Sequence, residues 1–453
     1  MKGQDIHYVQ GSTVKVEQIV GDFDRENQQN TRNKTNSRYQ IWGTDLGVSF
    51  NHDGKTFFLF GDIPGDIGFG IDRDPIAFTT DNDPSNGLDL TFLTQSSNKY
   101  NPINIPGISH GAFDVPIDGV SINGNMYIYF LTNGMDEIVL AKSEDNGKTF
   151  SLIKKLFQNQ FTNLSINKVR RSDYPGLPGN FSKGLMVLGT KEYRKSPVYL
   201  YCHAEDAIAD KTSYFYFTGL TGNKPNWSNN ENKAVPIIDI NCGGELSSAF
   251  EPLLKKWMVL YNCDNPRGIQ IKFSDTPWGP YSNAETIFEP DVDNGYCHFI
   301  HASWQVKNCD NVHDPGRENE WGGEYGPYLL KNKTTKQDSF YNIYYTLSTW
   351  NPYTTVLMKS TLQRTLSTSV PKAPPIKKVK VTPNPANHQL VLNIPNYIGK
   401  EMGVVITNVK GENYLEIRNK TVIDLKDTPS GVYVGRVFLD RIPAYYFRFL
   451  IVH

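Results

Sequence analysis

The sequence predicts an all-β protein, a five-bladed β-propeller followed by a small C-terminal β-sandwich, and three observations carry that expectation. Segments rich in Tyr, Phe, Val and Ile alternate with clusters of Gly, Asn, Asp and Pro, and helical periodicity is almost absent. One pattern, a small-residue turn running into an aromatic or aliphatic strand, recurs five times. Near Thr365 that pattern stops at a Pro/Ser-rich stretch, beyond which shorter strands resume.

The five recurrences are Val48 to Phe60, Val120 to Phe130, Gly184 to Gly189, Lys256 to Tyr261 and Phe340 to Tyr345. Their spacing, roughly 60–85 residues, suits a four-stranded blade with insertions, and radial repetition of blades hides the sheet edges. A further strand follows in several blades, at Ile138 to Lys142, Pro197 to Tyr201, Gly268 to Phe273 and Val356 to Thr361. Ser143-Glu144-Asp145-Asn146-Gly147-Lys148-Thr149-Phe150 has the form of an Asp-box hairpin turn, a structural signature of little catalytic weight. The expected boundaries are a propeller over residues 1–366, a linker over 367–375 and a second domain over 376–453. That second domain has 11 Lys/Arg against 6 Asp/Glu, and its short strands suit a small sandwich.

Across 453 residues, 46 Lys plus Arg stand against 47 Asp plus Glu with no basic run, so no nucleic-acid partner is expected. No apolar stretch is long enough for a transmembrane helix, and a signal peptide, if the protein is exported, is expected to precede this sequence. Cys202, Cys242, Cys263, Cys297 and Cys309 are odd in number and lack CxxC spacing, which argues against a zinc ribbon or a dense disulfide framework. Cys297 and Cys309 are placed to pair across a loop, with buried thiols an equal alternative. His52, His298, His301 and His313 lack metal-ligand spacing, and P-loop and dinucleotide fingerprints are missing, so neither metal nor cofactor is expected.

Propellers bind ligands in the axial funnel, so acids beside glycines at the ends of inner strands are the first candidates. Asp45 in Gly43-Thr44-Asp45-Leu46-Gly47 and Asp62 in Phe60-Gly61-Asp62 flank one hairpin. Asp114, Glu245 and Glu324 or Tyr325 take corresponding places in later blades. Glycosidic hydrolysis needs two carboxyls in different environments, one protonated and one ionised, and a cluster of acids raises at least one pKa by mutual repulsion. Asp45, Asp62 and Glu245 are therefore the catalytic candidates, with Asp45 and Asp62 the preferred pair and inversion the expected outcome. Arg73, His110, Asp114, Glu251, Glu324, Tyr325, Trp350 and Asn351 are the candidate substrate contacts, Trp350 for stacking on an apolar sugar face.

The order of Gly43 to Gly47, Phe60 to Asp62, Arg73-Asp74-Pro75-Ile76-Ala77, Gly244-Glu245-Leu246-Ser247, Pro277-Trp278-Gly279-Pro280-Tyr281 and Ser348 to Tyr353 resembles a family of five-bladed propellers. That family was long described as a domain of unknown function and later associated with endo-D-arabinanases. The resemblance implies endo-hydrolysis of α-linked D-arabinofuranosyl chains of mycobacterial arabinogalactan and lipoarabinomannan, with arabinan as the polysaccharide partner and Asp45 and Asp62 as the pair. The tail, in Thr382-Pro383-Asn384-Pro385-Ala386, Val405 to Gly411, Ile423-Asp424-Leu425 and Ser430-Gly431-Val432-Tyr433, resembles the C-terminal sorting domain of the type IX secretion system of Bacteroidetes. It implies passage through that machinery and a secreted or outer-membrane cell-surface location. Two other readings compete: a non-catalytic, lectin-like propeller, and a sialidase, which ranks last because few arginines sit in inner-strand contexts like those of the acids.

Overall fold

In a computed structural model, which describes residues 6–64, 73–96, 98–365, 377–395, 397, 400–440 and 442–453, each of the five recurring segments supplies residues of the second strand of one of five antiparallel sheets, the first two also covering part of the innermost strand. The innermost strands are β1 (Leu46–His52), β2 (Pro116–Ile122), β3 (Asn163–Arg170), β4 (Leu246–Glu251) and β5 (Gly323–Leu329). Each neighbours the next, and β5 neighbours β1, so the sheets close a ring as a β-propeller. The chain divides into two compact units: Val14–Leu362, and Gln363–His453 together with the segment ending at Thr13. The expected linker over 367–375 lies outside the described residues.

The second strands read as unbroken apolar runs because both faces meet a neighbouring blade. Ile128 and Phe130 pack against Phe50 and Phe57 of the preceding blade. Their chain neighbours Tyr129 and Leu131 pack against Leu164 and Val187 of the following one. The hairpins joining first and second strands turn at Asp53-Gly54 and Asn123-Gly124, where all four residues have positive φ, the left-handed pair that a two-residue turn requires. The Asp-box folds as expected: the Asp145 carboxylate accepts from Thr149 N at 2.9 Å and Thr149 Oγ1 at 2.7 Å.

The strand that opens the propeller was not legible. Val14–Gln18 pairs with Thr354–Arg364 as an outer strand of the last blade, so the N-terminal part of the propeller locks its C-terminal blade. Where the five inner strands converge, Lys331 Nζ lies 3.5 Å from Asp118 Oδ2 and donates to Ile166 O at 2.8 Å. Asp118 is 1% exposed and burial holds its pKa above the usual carboxylate range, so the ammonium offsets a charge that water cannot reach. Lys331→Met is expected to destabilise the propeller by about 3–5 kcal/mol, read as a lower denaturant midpoint at unchanged slope.

The second unit has one sheet built on Ile442–Ile451, Gly431–Leu439, Met402–Asn408 and Asn413–Arg418, and another of Val381–Thr382, Gln389–Leu392 and Val422–Asp424. Leu390 and Ile423 of the smaller sheet share a core with Val404, Val437 and Phe447 of the larger.

Of the cysteine alternatives, the pairing of Cys297 with Cys309 is the one present, and a second disulfide was not expected. Cys242 pairs with Cys263 and Cys297 with Cys309, leaving Cys202 as a buried thiol. The first pair was missed because its partners lie 21 residues apart and meet only when a strand over Ile238–Gly243 returns beside Lys256–Asp264.

Candidate active site

A cavity of about 530 Å³ opens at the head of the inner strands and takes residues from all five blades. Asp45 and Asp62 come from the first blade, Phe113 and Ile117 from the second, Asn163, Tyr193 and Arg194 from the third, Glu245 from the fourth, and Glu324, Tyr325 and Trp350 from the fifth.

Asp45 is presented by an irregularity at the head of β1, where Leu46 and Gly47 both have positive φ and the register shifts before Val48. Thr44 Oγ1 donates to Gly61 O and Gly61 N donates to Asp45 O at 3.0 Å, tying the two ends of the hairpin. A β-carbon on Gly61 would stand 2.1 Å from Asp45 Oδ1, so only glycine leaves room for the carboxyl. Tyr325 Oη donates to Asp45 Oδ2 at 2.9 Å. Burial pushes the Asp45 pKa up to about 7, against the opposing hydrogen bonds of Tyr325 and Tyr353 and with added repulsion from Glu245. Near neutrality this carboxyl holds or releases a proton within reach of a bound ligand.

Glu245 stands in the opposite circumstance. Arg194 grips it through two parallel hydrogen bonds, Nη2 to Oε1 at 2.9 Å and Nε to Oε2 at 3.2 Å, with the Glu245 side chain 7% exposed. The same guanidinium lies 5.3 Å from the centre of the Tyr325 ring, which links the ion pair to Asp45. The Cys242–Cys263 bond anchors the chain three residues before Glu245.

Asp62 accepts from Phe113 N at 3.2 Å through Oδ2, while its backbone oxygen accepts from Tyr353 Oη at 3.0 Å. Behind it lies Asp74, 1% exposed, with its pKa driven well above the usual range by burial and by repulsion from Asp62 and Asp45. Asp74 is not among the candidates read from the sequence, although it lies in the Arg73-Asp74-Pro75 motif. Glu324 lines the cavity but is held by Arg267 at 3.1 Å.

Several expected substrate contacts serve the scaffold instead. Asp114, 2% exposed, spends both oxygens on the backbone N–H groups of Gly111 and Gly134, each at 2.8 Å. Near it, His110 Nε2 accepts from Ile105 N at 3.1 Å, and burial lowers its pKa. Glu251 ends β4 at the strand terminus away from Glu245, where it binds Thr334 Oγ1 and Leu253 N. The fully buried Asn351 donates to Arg317 O and Glu320 O and accepts from Asp314 N. Arg73 is not among the residues that line the cavity, and its charge opposes the rise of the Asp74 pKa. Each of these looked functional because a polar residue beside glycine or proline is also what a loop needs to satisfy its own backbone.

Trp350 is 41% exposed on the cavity wall and is no inter-blade core residue. Phe113, Tyr193 and Trp321 join it at 56%, 39% and 44%, three rings that the sequence did not single out. Tyr193 and Arg194 lie in Lys191-Glu192-Tyr193-Arg194-Lys195, a charged loop without glycine, so nothing in its pattern marked it. Exposed rings around polar groups form a surface able to stack on apolar faces of a ligand.

As for metals, Cys297, Cys309 and Asp310 lie close enough to share an ion, but both sulfurs are committed to their disulfide. His301 is held between Asp310 at 2.6 Å and Glu318 O at 2.7 Å, which makes it a structural residue.

Residues 30–359 match a family model described as a domain of unknown function, DUF4185, and the chain belongs to that family. A search of curated protein sequences finds no match. Among solved structures, the chain is similar to a GH43 β-xylosidase/α-arabinofuranosidase from a compost microbial metagenome, at 10% identity and TM-score 0.39 over 70% of this chain and 91% of that one. It is also similar to an exo-β-1,3-galactanase from Phanerochaete chrysosporium, at 7% identity and TM-score 0.42 over 97% and 99%. An α-L-arabinofuranosidase from Podospora anserina gives 9%, 0.38, 77% and 98%.

Proposed function

We propose that this member of the DUF4185 family is a glycoside hydrolase that cleaves internal α-D-arabinofuranosyl linkages of D-arabinan. One observation supports hydrolysis above all: a single cavity holds a carboxyl whose pKa is raised to about 7, Asp45, and further carboxyls in different surroundings, Asp62 and Glu245. Asp45 donates its proton to the leaving glycosidic oxygen as the anomeric C–O bond breaks. Asp62 takes a proton from the attacking water, whose oxygen forms the new bond to the anomeric carbon, with inversion there. Glu245, paired with Arg194, keeps a negative charge near Asp45 and so favours its protonated form. The choice of D-arabinan follows from the family resemblance of the ordered motifs. Export through the type IX machinery, directed by the C-terminal unit, is part of the same proposal and follows from the tail motifs.

Incubation with mycobacterial D-arabinan and plant L-arabinan, followed by separation of the products, tests it. Oligosaccharides from the D-polymer alone are expected. A lone monosaccharide would overturn endo-cleavage, and binding without release would make the protein a lectin.

A further inference from the structure

A second cavity of about 490 Å³ lies beside the first, formed within the propeller by Phe23, Arg25, Trp42, Asp314, Arg317 and Tyr353 among others. Tyr353 belongs to both walls. Its buried ring lies 6.1 Å from that of Trp42 on the second-cavity side and 6.0 Å from that of Trp350 on the funnel side. Arg317 lies 4.1 Å over the Trp350 ring and lines the second cavity as well. The partition between the cavities is therefore one tyrosine flanked by two tryptophans, exposed to 46% and 41%.

The acids of the second cavity are already engaged by the protein. Asp22 accepts from the amides of Asn36 and Ser37, Asp24 and Glu26 share Lys15, and Asp314 accepts from Tyr353 N and lies 3.9 Å from Arg25. Arg317, 3.9 Å from Glu320, keeps a buried Nη1 without a hydrogen-bond partner, a donor that a ligand oxygen can take. Rings for stacking and engaged polar groups that still carry spare donors and acceptors suit a neutral polyol.

We propose that this cavity is a distal glycan subsite, holding neutral sugar units of the chain whose cleaved linkage sits in the funnel. The proposal rests on the hydrolase reading and deepens it: an enzyme that cuts inside a chain gains transition-state binding from units remote from the bond.

The test uses the full chain and linear α-D-arabinan oligosaccharides of increasing length together with the polymer. Trp42→Ala is expected to raise KM for the polymer about 10-fold more than for the shortest cleaved oligosaccharide, the equivalent of one lost stacking contact. Phe23→Ala, whose exposed ring lies far along the chain from Asp45, is expected to give the same length dependence and guards against a disturbance of Asp45 by the Trp42 change. Equal losses at all lengths, or no loss with either variant, would overturn the subsite. If the wild type releases no sugar, hydrolysis falls, and the subsite is then judged by calorimetry on the polymer: binding about 10-fold weaker in both variants supports it, and equal or undetectable binding rejects it.

Discussion

Asp45→Asn is expected to lower kcat/KM by about 10²–10⁴-fold with the propeller intact, because the amide keeps the shape of the side chain and loses the proton that the leaving oxygen needs. The fold is expected to tolerate the change and even to gain from it above neutral pH. Burial raises the pKa of Asp45, so the folded state binds a proton more tightly than the unfolded chain does. Stability from this group is full at low pH and is lost as pH rises from the ordinary carboxylate range through about 7. An asparagine has no charge to bury, so at about pH 8 the variant should unfold at a denaturant concentration equal to or above that of the wild type. A variant that is inactive because it has unfolded would instead show a lower midpoint at every pH.

The second large effect concerns the ion pair beside it. Arg194→Met leaves Glu245, with its side chain 7% exposed, without the guanidinium that satisfies both its oxygens. Removing one partner of a buried pair costs about 3–5 kcal/mol, and because the Arg194 side chain is 31% exposed the lower end of that range is expected. Activity should fall as well, since the same guanidinium packs on the ring of Tyr325, the donor to Asp45. Combining Arg194→Met with Glu245→Gln should restore part of the lost stability, because no unpaired charge then remains. Purely additive losses in that double variant would mean that the two residues do not act as a pair.

The architecture was largely written in the periodicity. A propeller's middle strands are buried on both faces, so Phe57 to Phe60 and Trp257 to Tyr261 stand out as continuous apolar runs, while an outer strand such as Ser151–Gln158 is mostly exposed and leaves little pattern. The closing strand Val14–Gln18 was invisible for a different reason: its pairing partner lies more than 300 residues away, and local sequence does not encode such a meeting. At the site, the strand-end rule picked out Asp45 and Glu245, each one residue before an inner strand, and Asp62, just past the second strand of the first blade, and all three line the cavity. The same rule also collected Asp114, and the search for amides beside aromatic rings collected Asn351; both side chains satisfy loop backbone, since a buried loop and a ligand call for the same residue types. Phe113, Tyr193 and Arg194 escaped because their placement depends on how loops from separate blades converge, a property of the assembled ring.

The account turns on Asp45 acting as an acid poised near neutrality, and the pH dependence of wild-type kcat/KM on a cleaved arabinan reaches that point most directly. With Asp45 required in its protonated form, kcat/KM should fall tenfold per pH unit once pH passes about 7. A rate that stays level from about pH 6 to about pH 9 would contradict it, since the group proposed to give up its proton would then have lost it without consequence.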